Sequence, residues 1–200
     1  PIRGFFVATG LSGHGFGIGP GIGRVMADLI RGRDPGHDLT RFRFGRFSDG
    51  SPVTLGEFEL EDKAFEINKL SVELAREAAE GFSDGRHRWV IGDIGPGTKL
   101  PSLGHTTYAA IRDAYLECVI GMLEGGADAI LIETSQDLLQ VKAAVVAARR
   151  AMDQLGRRIP IISHVTVETT GTMLLGSEIG AALTAIEPLG VDMIGLNGTT

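Results

Sequence analysis

The chain has 200 residues, 43% of them hydrophobic and 22% charged, a balance that excludes a disordered segment and allows one or two globular domains. A net charge of −6 and a sequence pI near 5.4 repel phosphate backbones, so no nucleic-acid partner is expected. A single cysteine, Cys118, excludes an internal disulfide and a cysteine-rich zinc site within the chain and fits a reducing, cytoplasmic setting; no apolar run reaches the roughly 20 residues of a spanning helix, so no membrane is expected.

The first element is a short apolar run, Phe5-Phe6-Val7-Ala8, with the look of a buried strand. A glycine-rich loop, Gly10 to Gly23, follows, and then Ile22, Val25, Met26, Leu29 and Ile30 recur at helical spacing until Gly32. Pro20 stands where a first-turn proline is tolerated, and Arg33, Pro35 and Gly36 read as a turn. The arginines from Arg31 to Arg46 lack an aromatic ladder or a basic helix and read as a solvated loop. Glycines at such a loop let the backbone approach a ligand, and amides at a helix start attract anions. The simpler reading is a glycine-rich turn between two packed elements. A dinucleotide fingerprint is disfavoured because no second strand with an acidic residue follows at the required distance.

Beyond a seam near residues 47–52 the pattern changes to regular alternation. Leu60, Ala64, Ile67, Leu70, Leu74 and Ala78 mark a helix over 61–82, and residues 89–94 a strand. Ile111, Ala114, Tyr115, Cys118 and Met122 line a second helix, stopped by Gly125 and Gly126. Ala129 to Ile132 is a nearly all-apolar strand, Leu138 to Ala148 a helix, 159–165 a strand, 177–186 a helix and 191–196 a strand. This order predicts an α/β fold with parallel strands and right-handed crossovers. Pattern alone leaves an open doubly wound sheet and a closed barrel both standing.

In either architecture ligands gather at the carboxyl ends of the strands. The carboxylates in Gly92-Asp93-Ile94, in Glu124-Gly125-Gly126-Ala127-Asp128 and in Ile132-Glu133-Thr134-Ser135-Gln136-Asp137 therefore draw attention. Asp137 opens a helix and is most simply its cap. His164 reads first as a hydrogen-bonded core histidine. Glu133 follows four apolar residues, where a carboxylate is costly unless it meets water, a cation or a ligand amine. Cys118 sits on an apolar helical stripe with Tyr115 and Met122, a core position.

Two resemblances attach to these motifs. The stretch "ATGLSGHGFGIGPGIGRVMADLI", continued by "RFRFGRFSDGS", resembles the C-terminal flavin-contacting segment of the D-amino-acid oxidase/glycine oxidase-like FAD-dependent oxidoreductases. It implies FAD as a cofactor, with Gly13, His14, Gly15, Phe16 and Gly17 as flavin neighbours; that family's nucleotide-binding unit has no counterpart in these 200 residues. The stretches "LEDKAFEINKLSVELAREAA", "GDIGPGTKLPSLGHTTYAAIRDAY", "GGADAILIETSQDLLQVKAA" and "HVTVETTGTMLLGSEIGAALTAIEPLGVDMIGLN" resemble the homocysteine-binding N-terminal module of cobalamin-dependent methionine synthases.

The second resemblance implies a partial (β/α)8 barrel over 51–200, preceded by the strand, glycine loop and helix of 1–50. It implies methyl transfer from a corrinoid-binding module to homocysteine, with zinc activating the thiol. Glu133 would grip the substrate amine. Asp93, His164 and Asn197, at or near strand ends, are candidate substrate-binding residues beside it. The family's zinc cysteines follow Gly-Leu-Asn and precede Gly-Thr-Thr; here Gly195-Leu196-Asn197 runs directly into Gly198-Thr199-Thr200. The chain is therefore expected to be inactive alone. Two further expectations stand beside it: a fragment of an FAD-dependent amino-acid or amine oxidase, and a non-catalytic fusion product that self-associates through open barrel edges.

Overall fold

Eight helices and strands alternate over the described residues from 61 to 198 in the computed structural model, which describes residues 24–25, 27–28, 31–34, 36, 61–81, 85–97 and 99–198. A 3-10 turn, Glu61–Lys63, leads into helix α1, Ala64–Glu80. Strand β1 is Ile91–Ile94, helix α2 Tyr108–Glu124 and strand β2 Ala129–Ser135. Helix α3 is Leu138–Leu155, strand β3 Ile161–Val167, helix α4 Ile179–Ile186 and strand β4 Met193–Gly198. The flavin-neighbour residues Gly13 to Gly17 and the Phe5 to Ala8 strand lie outside the described residues. Of the basic run, Arg31 and Arg33 are described, and both are exposed, as a solvated loop requires.

Local chemistry sets the helix ends. Thr107 caps α2, its Oγ1 accepting from the Ala110 N–H at 3.1 Å. Asp137 caps α3 by accepting from the Leu139 N–H at 2.8 Å, and it also accepts from the N–H and hydroxyl of Ser102, each at 2.8 Å. The structural reading of Asp137 is thus the observed one, and its second pair of bonds ties the β1–α2 loop down. Gly156 ends α3 with φ 62, a left-handed turn that costs glycine nothing.

The strands pair in parallel in the order β1-β2-β3-β4. Each new strand is laid on the same side of the last. Right-handed crossovers then put every helix on one face of the sheet. The burial pattern agrees: Ile94, Ile130, Ile132, Ile161 and Val165 are closed off by Val119, Met122, Val141, Ala144, Val145 and Ala148 of the helices. A doubly wound sheet reverses its strand order and takes helices on both faces. Sequential order with helices on one face is a barrel wall, so the described residues form a partial (β/α)8 barrel with parallel strands, four staves of it.

One apolar stripe behaves differently from its pattern. Ile67, Leu70 and Leu74 of α1 are 39%, 53% and 45% exposed, while Val72, Ala75 and Ala79 face the core. The cause lies on α2. A Cβ on Gly121 would stand 2.4 Å from the Phe65 carbonyl oxygen, and one on Gly125 would stand 2.6 Å from that of Lys69. These glycines bring the two helix backbones together and so decide which face of α1 is covered.

The two short segments before β2 and β4 repeat one device. Asp128 and Val90 exchange two bonds: the Asp128 N–H donates to the Val90 carbonyl, and the Val90 N–H to Asp128 Oδ2, both at 2.7 Å. Asp192 and Ile161 do the same, both at 2.8 Å. Each aspartate locks the amino end of a strand to its neighbour.

Candidate functional site

The sheet face away from the helices carries the polar side chains. In a parallel ladder, paired residues point to the same side. Asp93 pairs with Leu131, Leu131 with Ile162, His164 with Gly195 and Thr166 with Asn197. Stepping by twos along β2 and β3 places Asp93, Glu133, His164, Thr166 and Asn197 on one concave wall, toward the carboxyl ends of the strands. The candidates from four different strands are therefore brought to one face. A Cβ on Gly195 would stand 2.7 Å from the His164 ring, so the imidazole lies across the floor that glycine leaves open.

Strand β2 is irregular where Glu133 sits. The register with β3 slips between Ile132 and Ser135, and Thr134 has φ 56. A β-branched residue in left-handed backbone is a strained outlier, and such bulges re-aim side chains beside functional sites. Ile132 and Ser135 are buried toward the helices. The extra residue thus turns two consecutive side chains, Glu133 and Thr134, inward. The strand also runs three residues beyond the Ala129 to Ile132 span that apolarity marks, because Glu133 and Thr134 belong to the polar wall and Ser135 is a small polar residue on the covered side.

Asp93 and Glu133 adjoin. Glu133 Oε2 and Asp93 Oδ1 are buried without a hydrogen-bond donor from elsewhere among the described residues. Burial, then the charge of Glu133, then a hydrogen bond to Glu133 push the Asp93 carboxyl up to about 8 from its ordinary value. A carboxyl that keeps its proton at neutral pH donates to its neighbour and spares the wall a second buried charge. Such a pair presents acceptor oxygens to a cationic or hydrogen-bond-donating ligand.

Sequence reasoning missed Thr134 and Thr166. Asn197 Nδ2 donates to Thr134 Oγ1, and Thr166 Oγ1 donates to Asn197 Oδ1, both at 2.9 Å. Alternation from His164 could have placed Thr166 on the wall; nothing local marks Thr134. Two cavities, of about 280 and 530 Å³, lie elsewhere, one beside the β1–α2 loop around Pro96 and Tyr115, the other at the opposite strand ends around Arg149 and Asp192. The wall itself is open.

Residues 47–200 match the Homocysteine S-methyltransferase family. The chain belongs to that family. Methionine synthase of Mycobacterium tuberculosis is 63% identical over 147 residues, and methionine synthase of Mycobacterium leprae 61% identical over the same length. Each match covers 73% of this chain and 12% of the relative, so the chain spans a small part of these proteins. The crystal structure of the homocysteine methyltransferase MmuM from Escherichia coli, in its apo form, superposes with a TM-score of 0.55 over 68% of this chain and 50% of that one. At 20% identity, that is a likeness of fold.

Among the described residues nothing fits the zinc that the resemblance implies. The chain's one cysteine, Cys118, is half-buried in α2, on the helix side of the sheet, and burial pushes its thiol up, away from the thiolate a metal needs. Among the described residues no three His, Cys, Asp or Glu side chains converge on a point that could hold a metal ion. No helix among the described residues is long and apolar enough to cross a membrane.

Proposed function

We propose that this chain supplies the homocysteine-gripping wall of a methionine synthase-type methyltransferase, which transfers a methyl group to the homocysteine sulfur. The observation that carries the reading is the Asp93–Glu133 pair, half-buried on the concave face with unpartnered oxygens. Glu133 takes the substrate ammonium in a charge-assisted bond. Asp93 keeps its proton and holds the Glu133 carboxylate in place. His164 completes the lining, and Asn197 stands beside it on β4. The wall orients the amino-acid end of the substrate and leaves the sulfur to be activated elsewhere. A free thiol with a pKa near ~8.5 is only a few per cent thiolate at pH 7, so the chain alone is expected not to turn over.

Several finer assignments accompany this reading. The family match beginning at residue 47 supports a seam near residue 51, with 1–50 as a separate oxidoreductase-like piece. The methyl donor is a corrinoid-binding module acting as partner, with cobalamin and zinc belonging to the complete enzyme, in the cytoplasm. Ile194 and Leu196 of β4 are 38% and 60% exposed where the next barrel unit would cover them, which supports self-association of the chain through this edge.

The decisive experiment is calorimetric titration of the chain with L-homocysteine. Saturable binding is expected, weakened about a hundredfold by Glu133→Gln, the cost of one buried charge-assisted contact. Equal affinity in the wild type and the variant would remove Glu133 from the site, and absence of binding by the folded wild type would remove the reading altogether.

A further inference from the structure

We propose that Asn197 is a positioning residue: strung between Thr134 and Thr166, its amide holds the β2 bulge in the backbone conformation that turns Glu133 toward its ligand. The inference deepens the homocysteine reading and rests on it.

Thr134 has φ 56, where its branched Cβ crowds the backbone. A strand free to relax would straighten into regular alternation. Thr134 would then turn outward and Ser135 inward, reversing the burial observed, in which Ser135 is only 1% exposed on the helix side. Something must hold the bulge against that relaxation. The β3–β4 ladder is regular through six consecutive pairs, Ile162 with Met193 to Val167 with Gly198, and forms a stiff frame beside the irregular β2.

Asn197 joins that frame to the bulge. It stands on β4 yet reaches past β3 to a residue 63 positions earlier on β2. Its amide donates to Thr134 Oγ1 while its carbonyl accepts from Thr166 Oγ1 on the intervening strand, which fixes the amide's orientation. The threonine that bears the strain is the one gripped, and it directly follows Glu133. One donor and one acceptor of Asn197 are committed along the wall, so the side chain acts on the ligand through Glu133. A polar residue engaged at both ends in this way locks a conformation rather than adding net stability.

The test combines two variants. Asn197→Ala is expected to weaken homocysteine binding about tenfold while the protein stays folded by circular dichroism. Thr134→Gly accepts positive φ without strain and has no hydroxyl to grip; in that background Asn197→Ala is expected to change the affinity less than about twofold. An equal loss in both backgrounds would mean that Asn197 meets the ligand directly and would overturn the proposal. A second readout needs no ligand: the Thr134 Cα and Cβ chemical shifts should move toward extended-strand values in Asn197→Ala. Unmoved shifts would sink the clamp even where homocysteine binds, and moved shifts would sustain it even where homocysteine does not. If Asn197→Ala does not fold, Thr166→Val releases the far end of the clamp and should give the same two changes at smaller amplitude; no change in either would be equally fatal.

Discussion

The sheet holds carboxylates toward both of its extremities, under opposite conditions: before β2 and β4 at the amino ends, and on β1 and β2 toward the carboxyl ends. At the amino ends, Asp128 and Asp192 are paired off by backbone N–H groups of the neighbouring strand, and Arg76 adds an ion pair to Asp128 at 2.6 Å. Partial burial pushes the Asp128 carboxyl up, but the Val90 N–H and the Arg76 guanidinium outweigh it and hold the group below its ordinary value. At the carboxyl ends, Asp93 and Glu133 face one another with unpartnered oxygens. Carboxylates of equal chemistry thus serve as bolts at one end and as an open grip at the other. What separates them is donor supply: the amino-end aspartates meet the Val90 and Ile161 N–H groups, whereas Asp93 Oδ1 and Glu133 Oε2 meet no donor from elsewhere among the described residues.

The comparison breaks most visibly at Asp128. Asp128→Ala leaves the Val90 N–H and the Arg76 guanidinium without their acceptor, at a cost of about 2–3 kcal/mol for hydrogen bonds to a charged group. Urea unfolding of the variant against the wild type measures it; a loss under about 0.5 kcal/mol, the usual surface value, would show that the bolt holds nothing. Asp192, which is more exposed, is expected to cost less.

The two ends also differ in the sign of their pH dependence. Asp93 has a folded pKa raised to about 8, so between the ordinary carboxylate range and about 8 the folded state holds a proton that the unfolded state has released. Stability from this group therefore falls as pH rises through that window and levels off above it. Asp128, with its lowered folded value, does the reverse: its contribution is present at neutral pH and is lost as pH falls through the acid range. Asp93→Asn should remove the loss of stability between about pH 5 and 8 and leave the acid limb unchanged. Unfolding curves collected across that range in both proteins decide it, and parallel profiles would mean that the pair holds no proton.

The amino-acid pattern makes one kind of information plain and hides another. The order of helices and strands, the parallel sheet and the cap at Asp137 follow from local periodicity and composition. So does the attention to Glu133, a carboxylate that closes an apolar run. The bulge at Thr134 is hidden, because register is a relation between β2 and β3 that neither strand states alone. The covered face of α1 is hidden for a similar reason: it depends on glycines of α2 that lie more than fifty residues away in the sequence, which let Phe65 and Lys69 approach. The pairing of Asp93 with Glu133 required two strands to be set side by side, and the bonds of Asn197 to Thr134 and Thr166 join three strands that no single stretch of sequence brings together.

The smallest expected effect tests the floor of the grip. Gly195 is the wall position opposite His164, and a methyl group there would stand 2.7 Å from the ring's Cδ2 and Nε2. The ring is the end of a flexible side chain on an open wall, so it should swing aside rather than force β3 and β4 apart. Gly195→Ala should therefore cost only about 1 kcal/mol of stability, at the low end of overpacking. Its effect on homocysteine depends on where His164 goes. If the imidazole lines the site, displacing it should weaken binding several-fold while the Asp93-dependent pH profile of stability stays as it is. If stability drops by more than about 3 kcal/mol, the ring is wedged in place, and His164 is a packed structural residue of the wall rather than a movable part of its lining.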